Sequence, residues 1–346
     1  MGEGRGGPAI ASFDHSEFTA EQLAGAKGNR RVSVCIPARN EEATVGLVVE
    51  ATMRDLVERV ALVEEVVVVD DHSSDRTGVV AARAGARVVP ANDSGRSGRP
   101  GPGKGQALRT AVSAARGDVL VFLDADVSDF GSHFVVGLLG PMLLGDGVAL
   151  VKGCYRRPLN GSHGGGGRVT ELLARPLLVR LFPELSQIAQ PLAGEFAVRS
   201  SVFEGLSLAP GYGVDVALLI DLAQRFGVCS LAQVDLGERR HRNRPLSELA
   251  PQAMAVLDAI LERAGVCLPE GAVPAPSPQT LVAVRVPTTF FTVPLDEELL
   301  AELKQTKAEI DLLQVQLKEL VARLQESGAT TQEIARALRN DDRPAG

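Results

Sequence analysis

Residues 119–126 read VLVFLDAD. Val119–Leu123 is an unbroken apolar run, and Asp124 and Asp126 follow it with one alanine between them. Continuous apolar character without alternation is the pattern of a strand buried on both faces, as in a parallel sheet. Adjacent strand residues point to opposite faces, so aspartates at i and i+2 share one face. Two neighbouring carboxylates repel each other unless a cation accompanies them. A hard divalent ion such as Mg²⁺ suits the pair, because it accepts one or two protein carboxylates and completes its shell with substrate phosphates. Alone, the same three residues would also serve as an aspartate turn with capping roles, so the surrounding sequence has to decide.

Working outward, the plan recurs. RVSVCIPARNEEATVGLVVEATM (31–53) gives an apolar strand, a turn containing Pro37, and a helix from about Glu41. VEEVVVVDDHSSDRTGVVAARAGARVV (63–89) gives a strand ending at Asp70 and Asp71, a polar turn, a helix and a short strand. GKGQAL (103–108) opens the helix that leads into Val119. Strands alternating with amphipathic helices predict an α/β fold with a mainly parallel sheet and helices on both faces. In such sheets the ligand crevice lies beyond the carboxyl ends of the strands. The polar clusters at residues 39–42, 70–71 and 124–126 all fall there. Asp70 and Asp71 can accept hydrogen bonds from a base or ribose, or cap the helix after Asp75. Lys104, between glycines at a helix start, suits a phosphate or carboxylate, although GKGQAL is not a Walker A motif. Asp215, after PGYGV, opens another helix and is either a site residue or a simple cap.

The chain has 346 residues, 43 acidic against 36 basic, for a net charge of −7. That balance argues against general nucleic-acid binding, which needs surplus Lys and Arg. Any anion must then be met by a local cluster, and ERRHRNR (238–244) is the densest one. His241 at its centre can bind a metal as a neutral imidazole, which a guanidinium cannot do. The four cysteines are widely spaced; Cys35 and Cys229 lie in apolar runs and read as buried thiols of a reducing compartment. No apolar run reaches the ~18 residues of a spanning helix, and residues 1–18 have no apolar signal core. The expectation is a cytoplasmic protein without a membrane segment.

Five regions are expected. Residues 1–30 form a flexible lead-in with a short helix near Ser16–Ala26, and 31–155 the α/β domain that carries these strand ends. Residues 156–268 form a mainly helical part, with the Asn160–Gly167 tract a candidate lid. Residues 269–294 are a Pro-rich linker and strand, and 295–346 a heptad helix with a short terminal helix. Leu299, Leu303, Thr306, Ile310, Leu313, Leu317, Leu320 and Leu324 recur at spacings of 4 and 3, which fits either a self-associating coiled coil or a helix packed on its own domain.

CIPARNEEATV (35–45), VVVDDHSSDRT (67–77), GKGQAL and VFLDADV (121–127) together resemble GT-A glycosyltransferases. VKGCYRRPLN (151–160), GRVTELLARPLL (167–178), QPLAGE (190–195), APGYGVDVALLID (209–221) and QVDLGERRHRNRPLSEL (233–249) resemble the glucosyl-3-phosphoglycerate synthase family, retaining enzymes of actinobacteria. The resemblance spans about residues 32–265. It implies a GT-A, Rossmann-like fold, UDP-glucose as donor, 3-phosphoglycerate as acceptor, a Mg²⁺ or Mn²⁺ ion, and a homodimer. By position, Pro37, Ala38, Glu41 and Asp71 would line the nucleotide site. Lys104, Asp124 and Ala125 would meet the donor, and Asp126 and His241 would bind the metal. Arg168, Thr170 and Asn243 would hold the acceptor. Asp215 would lie near the glucose, and the Leu192 carbonyl would face the anomeric centre. Two positions depart from the family pattern: Asp70–Asp71 stands where Asp-Ser is expected, and Asp215 where Glu is expected. The residues leave open a same-face transfer and a double displacement through Asp215. They also leave open a GDP-mannose donor, an inverting transferase acting on a lipid phosphate or polysaccharide, and a non-catalytic nucleotide-sugar sensor.

Overall fold

The structure is a computed structural model that describes residues 9–91, 103–156, 158–159, 162–163, 167–239 and 246–266. The chain divides into two compact units, Met1–Pro278 and Gln279–Gly346. The second unit, with the heptads and terminal helix, lies outside the described residues, as does the Pro-rich linker.

The expected βα alternation is present. Strand β1 (Ala11–Asp14) and helix α1 (Ala20–Ala26) precede β2 (Val32–Ala38), α2 (Val45–Thr52), β3 (Glu65–Asp70), α3 (Thr77–Arg83) and β4 (Arg87–Pro90). Next come α4 (Lys104–Ala114), β5 (Val119–Phe122), α5 (His133–Leu144) and β6 (Leu150–Arg156). A short antiparallel pair follows, β7 (Pro158–Leu159) and β8 (Ser162–His163); of the expected lid tract only β8 and Gly167 are described, and residues 160–161 and 164–166 are outside the described set. The chain continues through α6 (Arg175–Leu181), β9 (Phe196–Arg199), α7 (Val214–Phe226), β10 (Leu231–Glu238) and α8 (Leu246–Arg263).

Eight strands form one sheet in the order β1-β10-β6-β9-β5-β2-β3-β4. All neighbouring pairs are parallel except those of β9, which runs antiparallel between β5 and β6. Val32, Val34, Ile36, Val66, Val68, Val119 and Val121 face one core layer, and Cys35, Val67, Val69, Leu120 and Phe122 the other. This is why the strands read as solid apolar runs: both faces are covered.

Three features differ from the sequence reading. Residues 11–14, expected in the flexible lead-in, pair along β10, and the expected short helix is α1. Besides its helices, the stretch from 169 to 266 contributes two strands that the sequence reading did not mark, β9 in the middle of the sheet and β10 next to its β1 edge. β9 has only four residues, too few for a periodic signal, and β10 (LAQVDLGE) mixes apolar with polar positions. Cys229 is exposed rather than buried, because a short turn at Val228–Ser230 carries it out between α7 and β10; Cys35 is buried as expected.

Candidate active site

The carboxyl ends of β2, β3 and β5 lie side by side, and the two turns after β2 and β3 are stitched together. The Asn40 N–H donates to Ser73 Oγ (3.1 Å), and the Ser74 N–H to Asn40 Oδ1 (2.7 Å). The Glu42 N–H donates to Asp75 Oδ2 (3.2 Å), and the Arg76 N–H to Glu42 Oε2 (3.0 Å). Asn40 and His72 adopt left-handed backbone, with φ of 56° and 58°, a conformation that costs most residues but suits Asn at a tight turn. The two aspartates ending β3 separate. Asp70 accepts the Ser73 N–H (3.0 Å) and serves the turn. Asp71 is buried, its N–H donates to the Ala38 carbonyl (2.8 Å), and its carboxylate meets the His72 ring (3.1 Å). The cap expected of these residues falls to Asp75, which accepts the Thr77 N–H (2.9 Å). Pro37, Ala38, Glu41 and Asp71 therefore belong to one patch, with the Glu41 N–H tied to Thr77 Oγ1 (2.8 Å).

Beyond β5 lies a cluster of seven charged side chains. Lys104, at the first turn of α4, reaches Asp124 Oδ1 (3.2 Å) and Asp215 Oδ2 (2.9 Å). Helix α4 can start there because Gly105 packs on the 209–211 loop, where a Cβ would overlap the Ala209 carbonyl oxygen. Asp215 is only 4% exposed and caps nothing: α7 has no side-chain cap, and Asp215 Oδ1 is a buried oxygen with no hydrogen-bond partner in the structure. An orphaned buried carboxylate oxygen is costly, which marks Asp215 as more than a helix terminus.

Arg239, 3% exposed, follows β10 and turns onto three carboxylates. Its guanidinium meets Asp126 Oδ1 (2.7 Å), Asp124 Oδ2 (3.3 Å) and Glu195 Oε1 (2.5 Å). It also donates to the Tyr155 hydroxyl (2.7 Å) and lies 4.9 Å from that ring's centroid. The Glu195 contact is an ion pair without hydrogen-bond alignment, since both Glu195 oxygens lack a hydrogen-bond partner. The sequence reading gave the 239–244 run to substrate anions. Arg239 instead turns inward onto carboxylates, because its backbone N–H bonds to the Arg156 carbonyl (3.0 Å) and continues the β10–β6 ladder. Lys152 of β6, also buried, completes the group.

Burial opposes the charge on Asp124, but Lys104 and Arg239 outweigh it and hold its carboxyl well below the usual carboxylate range. Burial likewise opposes Lys104, and Asp124 with Asp215 keeps its ammonium above the ordinary lysine value. Glu195 goes the other way: burial pushes it up to about 7 against the pull of Arg239. A carboxyl raised in the folded state contributes stability that is present below its unfolded value and is lost as pH rises through the folded one. Relative to a Glu195→Gln variant, the wild-type protein is therefore expected to lose stability between about pH 4.5 and about pH 7. Melting temperatures across that range check it, and a difference that does not vary with pH would show that Glu195 does not titrate there.

With Glu195 ionised, Asp124, Asp126, Glu195 and Asp215 against Lys104, Lys152 and Arg239 leave one negative charge in the cluster. One guanidinium already bridges Asp124 and Asp126, so the strand-end pair does share a cation position. Hard carboxylate oxygens and a residual negative charge fit a Mg²⁺ or Mn²⁺ ion. Among the described residues no group of three or more His, Cys, Asp or Glu side chains could hold a metal. The expected ligand His241, like Asn243, lies outside the described residues, two places past Arg239. Arg168 is exposed and Thr170 buried, in the helical turns that run into α6. Ala125 is buried in the core, and Leu192 is partly buried in the segment leading to β9. Sequence reasoning missed Lys152, Glu195 and Tyr155. A lone lysine inside VALVKGCY, or a glutamate before FAV, carries no motif.

The profile of Glycosyl transferase family 2 matches residues 33–142. The glucosyl-3-phosphoglycerate synthase of Mycolicibacterium smegmatis is 47% identical over 259 residues, covering 74% of this chain and 84% of that protein. The chain belongs to the glucosyl-3-phosphoglycerate synthase family. The family member from Mycobacterium tuberculosis is 44% identical over 266 residues (75% of this chain, 81% of that one), and the one from Petrotoga mobilis 39% over 259 residues (73% and 80%). A crystal structure of the Mycobacterium tuberculosis family member in complex with Mn²⁺, UDP-glucose and phosphoglyceric acid superposes with a TM-score of 0.68 at 42% identity, covering 75% of this chain and 88% of that one. Another holds Mg²⁺ and UDP, with the same score and identity and the same coverage of both chains. The GT-A fold implied by the resemblance agrees with these neighbours.

Proposed function

We propose that this glycosyltransferase moves glucose from UDP-glucose to the 2-hydroxyl of 3-phosphoglycerate with the help of Mg²⁺ or Mn²⁺. The observation that carries the reading is the Lys104–Asp124–Asp215–Arg239 cluster at the strand ends, in a chain whose relative is solved with that donor, that acceptor and Mn²⁺. The ion, held by Asp126 and His241, would neutralise the diphosphate and ease departure of UDP.

The chain's own residues do the rest. The patch of Pro37, Ala38, Glu41 and Asp71 holds the nucleotide. Lys104, kept charged by two carboxylates, offers its ammonium to the donor beside Asp124 and Ala125. Asp215 is pinned through Oδ2 by Lys104, which leaves Oδ1 to orient the sugar or stabilise positive charge developing at its anomeric carbon. The Leu192 carbonyl closes that side. Arg168, Thr170 and Asn243 bind the acceptor's phosphate and carboxylate, for which a guanidinium is the strongest partner. Residues 31–155 thus bind the donor, and 156–268 supply the acceptor contacts and, through β10, the metal arm. The homodimer belongs to the same proposal, and the mass of the particle in solution tests it. No described helix is long and apolar enough to cross a membrane.

Purified protein with UDP-glucose, 3-phosphoglycerate and Mg²⁺ or Mn²⁺ is expected to release UDP and form glucosyl-3-phosphoglycerate. Chelation should stop turnover, and added Mn²⁺ should restore it. GDP-mannose in place of UDP-glucose is the control for donor choice. Product from GDP-mannose alone, or no product at all, would overturn the assignment.

A further inference from the structure

Lys152 is a buried cation with no assigned task. It lies inside β6, 2% exposed, between Val151 and Gly153 and in register with Phe196 of β9 and Gln233 of β10. A buried ammonium normally needs a carboxylate. Lys152 instead donates to a backbone carbonyl, that of Ala193, at 2.5 Å, and lies 5.2 Å from the Phe196 ring centroid. Burial pushes the ammonium down to about 8 against the pull of Asp215, so it is still protonated at neutral pH. An apolar side chain would fill the same space without the desolvation cost. Beyond its attraction to the nearby carboxylates, what the ammonium contributes lies in the carbonyl it binds.

That carbonyl belongs to the segment Pro191–Gly194, which runs against the site. A Cβ on Gly194 would overlap Asp124 Oδ1 and come within 2.5 Å of Lys104 Nζ, so this backbone touches the Lys104–Asp124 pair. Ala193 is buried in one core layer and Leu192 packs against the other, but among the described residues few other backbone hydrogen bonds reach the segment. Within it, the Ala193 N–H reaches back to the Gln190 carbonyl (3.1 Å); beyond it, the Gly153 N–H holds the Glu195 carbonyl (2.8 Å). Two consecutive residues of β6 thus grip it: Lys152 by its side chain at Ala193, Gly153 by its backbone at Glu195.

We propose that Lys152 is a positioning residue for glucosyl transfer, which holds the Leu192–Gly194 backbone against Lys104 and Asp124 by binding the Ala193 carbonyl. This rests on the transferase reading given above. Without the ammonium, the segment can drift by the fraction of an ångström that disturbs an aligned donor. Misplacement of that order costs rate rather than binding.

The test compares the wild-type protein with Lys152→Met and Lys152→Gln, assayed with UDP-glucose, 3-phosphoglycerate and Mn²⁺. Lys152→Met keeps the length and loses the donor. It is expected to lose roughly 10²-fold in kcat, keep KM for both substrates within about twofold, and melt at or above the wild-type temperature, because a buried charge has been replaced by an apolar isostere. Lys152→Gln, which keeps a shorter donor, is expected to recover part of kcat. Unchanged kcat in Lys152→Met would sink the inference. So would a loss of activity that only tracks a lowered melting temperature or failure to fold, since Lys152 would then be a packing residue. An inactive wild-type protein would instead overturn the transferase reading itself.

Discussion

Arg239→Met is expected to cost about 3–5 kcal/mol of stability, the usual loss when one partner of a buried ion pair is removed. The change strands Glu195, which is fully buried and meets Arg239 at 2.5 Å. It also leaves Asp124 and Asp126 without the guanidinium that bridges them at 3.3 and 2.7 Å. For a domain of this size, a loss of that order lowers the melting temperature by roughly 10 °C. Activity should fall at least about 10²-fold, since the carboxylates lose the group that aligns them. Adding Glu195→Gln to Arg239→Met separates the two effects. The double variant is expected to regain much of the lost stability, because a neutral amide replaces the buried carboxyl that has lost its counter-ion, yet to stay nearly inactive. Purely additive losses in stability would show that Glu195 and Arg239 are not coupled.

Gly194→Ala should be as damaging to turnover with far less effect on folding. Its methyl would overlap Asp124 Oδ1 and crowd Lys104 Nζ. Both groups are held from the other side, Asp124 by Arg239 and Lys104 by Asp215. They cannot give way without breaking an ion pair of the cluster, so a loss of roughly 10²-fold in kcat/KM is expected. The neighbouring Lys152 and Gly153 contacts to the segment remain, which limits the effect on melting temperature. Steady-state kinetics beside a thermal melt check both halves. Wild-type kcat/KM in this variant would mean that the 191–194 backbone is not held against the Lys104–Asp124 pair.

Much of the fold was legible because its parallel strands are buried on both faces. The four valines of β3 and VLVF of β5 leave no other reading, and each ends in the acidic residues that mark the crevice. Lys104, Asp124, Asp126 and Asp215 were legible from their places at strand and helix ends, and the structure brings them together through Lys104 and Arg239. β9 was not legible. Four residues carry no period, and their direction is set by β5 and β6 on either side, which are distant in the chain. Lys152 and Glu195 were hidden for a related reason. Each is a charged residue in an apolar setting whose partner, Ala193 in one case and Arg239 in the other, is fixed only by the register of β9 and β10. The inward turn of Arg239 was hidden too, because a run of arginines gives no sign of which member faces a carboxylate.

The place of β10 in the sheet bears on the order in which the molecule can assemble. Strands β2, β3 and β4 pair with near neighbours in the chain, and such local pairings close early. β1 must wait for a strand some 220 residues later, since Ala11 is in register with Ala232. Arg239 arrives with that same strand. During synthesis, which proceeds from the N-terminal end, the donor-side half of the sheet can be complete while Asp124 and Asp126 still lack their cation and β1 has no edge to join. A ribosome-bound chain ending before β10 is thus expected to protect the amides of β2–β3 against exchange, while those of β1 remain open.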